Sequence, residues 1–162
     1  MALCVATASG GFIAALNHTS VARVLFILAA APEQRMRKVP KTGEALPAIG
    51  LGSWQTFDVG AAAGERSAQR EVLKLFIEQG GRVVDSSPMY GESESVIGDL
   101  AADLGVTSKL FVATKVWTSG REAGIRQMEQ SFQRLRTKKM DLMQVHNLLD
   151  WKTHLKTLRD WK

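Results

Sequence analysis

Two periods of apolar positions alternate along this chain. Short apolar runs at residues 48–52, 82–85, 110–115 and 140–146 read as strands, each bounded by turn-forming residues. Between them the apolar positions recur at helical spacing. Ala68, Val72, Leu75 and Phe76 form one stripe over residues 65–79, which Gly80-Gly81 closes. Val96, Ile97, Leu100, Ala101 and Leu104 mark a second helix that starts near Ser93 and ends at Gly105. Ile125, Met128, Phe132 and Leu135 mark a third, for which Ser119 and Glu122 have the spacing of a capping box. Trp151, Leu155 and Leu158 are in register for a fourth, over residues 151–162. Ahead of these units, residues 36–46 alternate loosely around Lys41-Thr42-Gly43-Glu44, which predicts a short hairpin.

The strand centres recur about every thirty residues, the length of a βαβ step. Such alternation builds parallel strands joined by right-handed crossovers. An open doubly wound sheet and a (β/α)8 TIM barrel both satisfy it. The open nucleotide-binding sheet usually carries a third glycine after its first strand, which Gly50-Leu51-Gly52-Ser53-Trp54 lacks. Polar residues close all four strands, as on the C-terminal face of a barrel, and the expected fold class is therefore the α/β barrel.

Those strand ends hold the candidate chemistry. Residues 82–85 end in Asp85 and open into Ser86-Ser87-Pro88-Met89-Tyr90-Gly91, residues 110–115 end in Lys115, and residues 140–146 end in His146. Asp85, Tyr90, Lys115 and His146 are ionisable groups that successive strand ends bring toward one point. Singly, each is more often a turn, cap or surface residue. His154 and Lys152, on the fourth helix, read as solvated surface, and Trp151 and Trp161 as packing residues.

Composition narrows the picture. The chain has 162 residues, 45% of them hydrophobic, enough for one domain with a sizeable core. The formal net charge is +5, but its cations are scattered over helix faces, which gives no nucleic-acid surface. Cys4 is the single cysteine, so neither an intrachain disulfide nor a cysteine metal site can form. His18, His146 and His154 are too dispersed for a zinc motif. Residues 1–35 form a leader whose first 31 residues carry one charge, Arg23. Its apolar run at residues 24–31 resembles a signal peptide's core, but no basic residue opens the chain and Asn17-His18-Thr19-Ser20 interrupts the apolar region. Cytoplasmic residence is expected, with export as the alternative. Neither apolar run approaches the length of about 20 residues needed for a membrane span. Asn17 also heads a glycosylation sequon.

Gly50-Leu51-Gly52-Ser53-Trp54, Asp85 through Tyr90-Gly91 with residues 94–98, Ala113-Thr114-Lys115, and Gln144-Val145-His146-Asn147 together resemble the aldo-keto reductase family, NAD(P)H-dependent enzymes on a (β/α)8 barrel. The resemblance covers residues 39–162 and implies the catalytic tetrad Asp85, Tyr90, Lys115 and His146. It implies a Tyr90 proton donor whose pKa Lys115 lowers, an Asp85 that holds Lys115 charged and aimed, and a His146 that orients the carbonyl. Ser53, Trp54 and Asp85 are the implied cofactor contacts, with Trp54 and Trp117 as walls of the substrate pocket. No metal is implied. The implied activity is reduction of aldehyde or ketone carbonyls with NADPH.

A whole barrel takes about 250 residues. Residues 36–162 are therefore expected to be the N-terminal half of such a barrel, truncated to about four βα units, with an incomplete NADPH site. Its open edges near Ile49 and Leu142 would favour self-association, with Val83, Val112 and Met143 left exposed. The alternative function is a catalytically inactive half-barrel acting as an interaction or regulatory module.

Overall fold

The structure is a computed structural model, and it describes residues 34–62 and 64–161. The expectations placed on Cys4, on the Asn17 sequon and on an export signal fall outside these residues. A hairpin of β1 (Met36–Lys38) and β2 (Ala45–Pro47) comes first, with Arg37 paired to Leu46. Four βα units follow: β3 (Gly50–Gly52), α1 (Ser67–Glu78), β4 (Val83–Asp85), α2 (Ser93–Asp103), β5 (Phe111–Val116), α3 (Arg121–Arg134), β6 (Leu142–Val145) and α4 (Trp151–Trp161).

The strands form one parallel sheet in the order β3-β4-β5-β6, with Leu51 opposite Val84, Val84 opposite Val112, and Lys115 opposite Gln144. Side chains alternate across this sheet. Val84 and Val112 therefore join Leu73, Val96, Ile97, Leu100, Ala101 and Leu135 in the core beneath the helices. Asp85, Lys115 and Gln144 belong to the opposite face. The expected exposure of Val112 is corrected by this register: it lies on the helix-facing side and is buried, while Val83 and Met143 are half-buried.

α2 and α3, each with a helix on both sides, bury Val96, Ile97, Leu100, Ala101, Met128 and Leu135 of their predicted stripes, with Leu104, Ile125 and Phe132 half-buried. The two outer helices do not. In α1 the buried residue is Leu73, while Val72 and Leu75 of the expected stripe face outward. In α4 the buried residues are His154 and Thr157, while Trp151 and Leu155 are exposed. His154, expected at the surface, is fully buried because Gly124 makes room for it. A Cβ at Gly124 would lie 2.6 Å from the imidazole, and the ring's Nε2 hydrogen-bonds the Thr118 carbonyl at 2.7 Å. Trp161 packs edge-on against Phe132, whereas Trp151 is exposed beneath the Lys152 ammonium.

The capping box at Ser119 does not form. The residue preceding α3 is Gly120, at φ 86°, with no side-chain cap. Its N–H is taken instead by Asp150 Oδ2 at 2.8 Å, from the turn after β6. That contact holds the Asp150 carboxyl below its usual range, with a smaller contribution from the Thr153 hydroxyl.

The hairpin lies at the N-terminal end of the sheet, where the Gln34 side-chain amide donates to the Gln79 carbonyl at the end of α1. The opposite end is left to the loops that follow the strands. No helix among the described residues is long and apolar enough to cross a membrane.

Candidate active site

Parallel pairing brings the C-terminal ends of β4, β5 and β6 level, and the register decides which side chains share a face. Asp85 pairs with Ala113, two residues before Lys115, and Lys115 pairs with Gln144, two residues before His146. Lys115 Nζ donates to Asp85 Oδ2 at 2.7 Å and to the Ser86 carbonyl at 2.7 Å. The other Asp85 oxygen accepts from the Gln144 side-chain amide at 3.2 Å. The carboxylate is thus held from two neighbouring strands.

Tyr90 stands on the turn after β4. Lys115 Nζ lies 5.3 Å from the centre of its ring, over the face. The His146 ring meets it edge-on, with centroids 5.6 Å apart. All four predicted site residues are therefore brought together. The expected electrostatics need correcting, however: Tyr90 has its pKa raised, first by burial and then by the Asp85 charge. The Lys115 cation is bound to that carboxylate and offsets part of its charge, but burial and the Asp85 charge leave the phenol raised. A phenol kept in its protonated form is suited to donate a proton.

His146 shifts the other way. Burial lowers its pKa first, then the Lys115 cation, with Asp85 opposing. The imidazole is consequently neutral at pH 7. Its Nδ1 lies 2.6 Å from the buried Ser87 hydroxyl. With that hydroxyl donating to Nδ1, the ring proton resides on Nε2. The chain then turns sharply: Asn147, Leu148 and Asp150 all have positive φ (53°, 55° and 46°). Left-handed backbone at a non-glycine residue costs on the order of 1–3 kcal/mol, and such strain clusters at functional sites.

Trp54 and Trp117 stand at the rim, 61% and 39% exposed, with ring centroids 6.4 Å from Tyr90 and 6.5 Å from His146 respectively. Ser53 is placed elsewhere. It is fully buried, and its hydroxyl hydrogen-bonds the Asp85 carbonyl at 3.0 Å and the Ser86 hydroxyl at 2.9 Å. It joins β3 to β4 and has no surface to offer a ligand.

The loop after β3 is anchored by buried Phe57 and by Asp58, whose carboxylate accepts the Glu92 N–H at 2.9 Å. Gly91, at φ 56°, lets that carboxylate come close, since a Cβ there would overlap it. Beneath the site the Thr114 hydroxyl donates to Glu94 at 2.6 Å. Glu94 is fully buried, and burial raises its pKa against the pull of that hydroxyl.

Ser87 and Gln144 stand within the motifs, yet motif reading gave neither a role in the site. Each lies two positions from a predicted one, Ser87 after Asp85 and Gln144 before His146, so strand alternation was the available signal. Ser87→Ala removes one hydrogen bond to His146 and little volume. It is expected to loosen the orientation of the His146 ring, read as a change in the NMR signals of that imidazole with circular dichroism unchanged.

Comparison with known proteins follows the same lines. The sequence model of the aldo/keto reductase family matches residues 48–160. Methylglyoxal reductase YeaE of Escherichia coli is 35% identical over 105 residues, covering 62% of this chain and 35% of that protein. Aldo-keto reductase YhdN of Bacillus subtilis is 28% identical over 120 residues, covering 67% of this chain and 36% of that one. An aldo/keto reductase of Klebsiella pneumoniae, solved in complex with NADP and acetate, superposes with a TM-score of 0.59 at 28% identity, covering 70% of this chain and 39% of that one. The chain thus spans little more than a third of these curated relatives' length.

Proposed function

Because the chain belongs to the aldo/keto reductase family and forms part of its (β/α)8 barrel, we propose that it carries the catalytic face of an NADPH-dependent reductase of small aldehydes and ketones, 2-oxoaldehydes such as methylglyoxal among them. The observation that supports this most directly is the meeting of Asp85, Lys115, Tyr90 and His146 at three adjacent strand ends.

The described residues fit the reacting end of a nicotinamide dinucleotide. Trp54 and Trp117 offer apolar walls on either side of the Tyr90–His146 pair, and Asp85 and Gln144 offer polar groups at the floor. The phosphates would need free cations. Among the described residues at this end, Lys115 is paired with Asp85, and Arg121 with Asp160 at 2.9 Å.

When bound, the cofactor supplies a hydride, two electrons and a proton nucleus, to the carbonyl carbon. The chain's own residues handle the oxygen. The neutral His146 presents an Nε2–H that can hydrogen-bond the carbonyl oxygen and orient it. As negative charge develops there, the Tyr90 hydroxyl gives up its proton to form the alcohol, and Lys115 balances the phenolate from the ring face. Tyr90 then regains a proton from water. The rim tryptophans exclude water from one side of the reacting carbon.

Incubating the purified protein with methylglyoxal and NADPH, and following loss of the reduced nicotinamide absorbance, tests this reading. Turnover that saturates in both reactants and produces hydroxyacetone or lactaldehyde is expected. Saturable methylglyoxal turnover without NADPH oxidation would overturn it.

A further inference from the structure

We propose that Gln127 and His154 are positioning residues for the substrate site: from α3 and α4 they hold the backbone around Trp117, and so keep its indole beside His146. Their role rests on the reductase reading, in which Trp117 is a wall of the carbonyl pocket.

Trp117 opens the loop that leaves β5 and ends where α3 begins at Arg121. Backbone groups in such surface loops ordinarily find partners close by in the chain or in water. Here side chains from later elements take them. The Trp117 N–H donates to Gln127 Oε1 at 2.5 Å, and Gln127 Nε2 donates to the Trp117 carbonyl at 3.0 Å. One primary amide thus pairs both polar backbone atoms of one residue, as a residue on an antiparallel strand would. The next carbonyl, that of Thr118, accepts from His154 Nε2 at 2.7 Å, and the Gly120 N–H is taken by Asp150 Oδ2 at 2.8 Å.

His154 serves this loop from the interior. It is fully buried and crosses α3 at Gly124, where a Cβ would lie 2.6 Å from the ring. A carbonyl can only accept, so the ring donates from Nε2. Leaving either group unpaired out of water is costly, which fixes the direction of the Thr118 carbonyl.

An indole points where its backbone and two side-chain torsions send it. With its N–H and carbonyl both held, Trp117 keeps its ring 6.5 Å from that of His146, tilted by 54°. Trp54, by contrast, has its carbonyl taken within its own turn, by the Thr56 N–H at 2.7 Å. Trp117 is therefore the wall whose place depends on side chains from α3 and α4. Under the proposed reaction that place sets the room beside the carbonyl that His146 orients, which is a matter of specificity rather than of proton transfer.

Fluorine NMR of the chain labelled with fluorotryptophan tests the assignment with neither cofactor nor turnover, so its outcome is separate from that of the reductase assay. The 4 tryptophans give one signal each, and Trp117→Phe identifies the one from Trp117. In the parent that signal is expected to move as His146 titrates below the ordinary histidine value of about 6.5, and His146→Asn is expected to abolish the movement. Gln127→Ala is expected to shrink the movement at least about twofold, because the influence of the imidazolium charge falls with separation, while the Trp54 signal keeps its place. His154→Leu is expected to shrink it as well, and His154→Gln, whose amide can still donate to the Thr118 carbonyl, to restore it, with circular dichroism as the check on folding. Gln127 is half-buried, so Gln127→Ala decides the matter even where His154→Leu does not fold. A Trp117 signal that ignores His146 in the parent, or follows it equally in Gln127→Ala, would overturn the proposal. So would a folded His154→Leu that behaves as the parent does.

Discussion

Tyr90→Phe is expected to lower kcat for carbonyl reduction at least about a hundredfold while leaving NADPH affinity within about twofold, since general acid catalysis contributes roughly 10²–10⁴-fold. The substitution deletes one oxygen. The ring that faces the Lys115 ammonium and the His146 edge stays in place, so the pocket keeps its shape. Because the proton is needed only as charge develops on the carbonyl oxygen, the loss falls on kcat and not on the ground-state complex. Single-turnover reduction under saturating NADPH measures it. Retention of more than about a tenth of the parent rate would assign the proton to another group.

Lys115→Met is expected to reduce kcat about a hundredfold as well, and to move the basic limb of the pH profile upward. Tyr90 donates only while protonated, so the rate is flat below its pKa and falls as pH rises through it. Burial and then the Asp85 charge already raise that pKa. Removing the cation held 2.7 Å from Asp85 leaves the carboxylate uncompensated, which raises the phenol further and makes it a poorer donor. Asp85→Asn removes a charge that raises the pKa, and is expected to move the same limb downward. The pH dependence of kcat from about pH 6 to 11 checks both signs against the ordinary tyrosine value near 10. A downward shift in Lys115→Met, or an upward one in Asp85→Asn, would place the titrating group elsewhere.

The strand ends were legible in the sequence because each joins a short apolar run to a polar residue, and a parallel sheet stacks such ends in register. Asp85, Lys115 and His146 need nothing more to meet. Ser87 and Gln144 stand in the motifs without a role because they look like filler beside the ionisable residues, and only the pairing of Lys115 with Gln144 shows that the amide shares a face with Asp85. Ser53 looked like a cofactor ligand from its motif. Its burial depends on Asp85 and Ser86 of the next strand, which lie 32 and 33 residues away in the chain.

Helix stripes show the same division. Periodicity identified the four α-helices among the described residues, but in α1 and α4 it chose stripes of which Val72, Leu75, Trp151 and Leu155 are left exposed. A hydrophobic stripe records that a neighbour is expected, not whether it is present. The α3 cap illustrates a second limit: Ser119 and Glu122 have suitable spacing, yet Asp150 from a later turn takes the Gly120 N–H. Local spacing cannot weigh a partner that arrives only when the sheet has formed.

By itself the sequence determined the order of strands and helices, the parallel α/β architecture and the family, because period, turn residues and strand-end motifs are local properties of the chain. Tertiary structure alone decided the electrostatics of the site. The raised pKa of Tyr90, the neutral His146 and the burial of Ser53 and His154 depend on distances between residues from different βα units. Coulombic and desolvation effects change steeply over a few ångströms, and no one-dimensional pattern contains those separations.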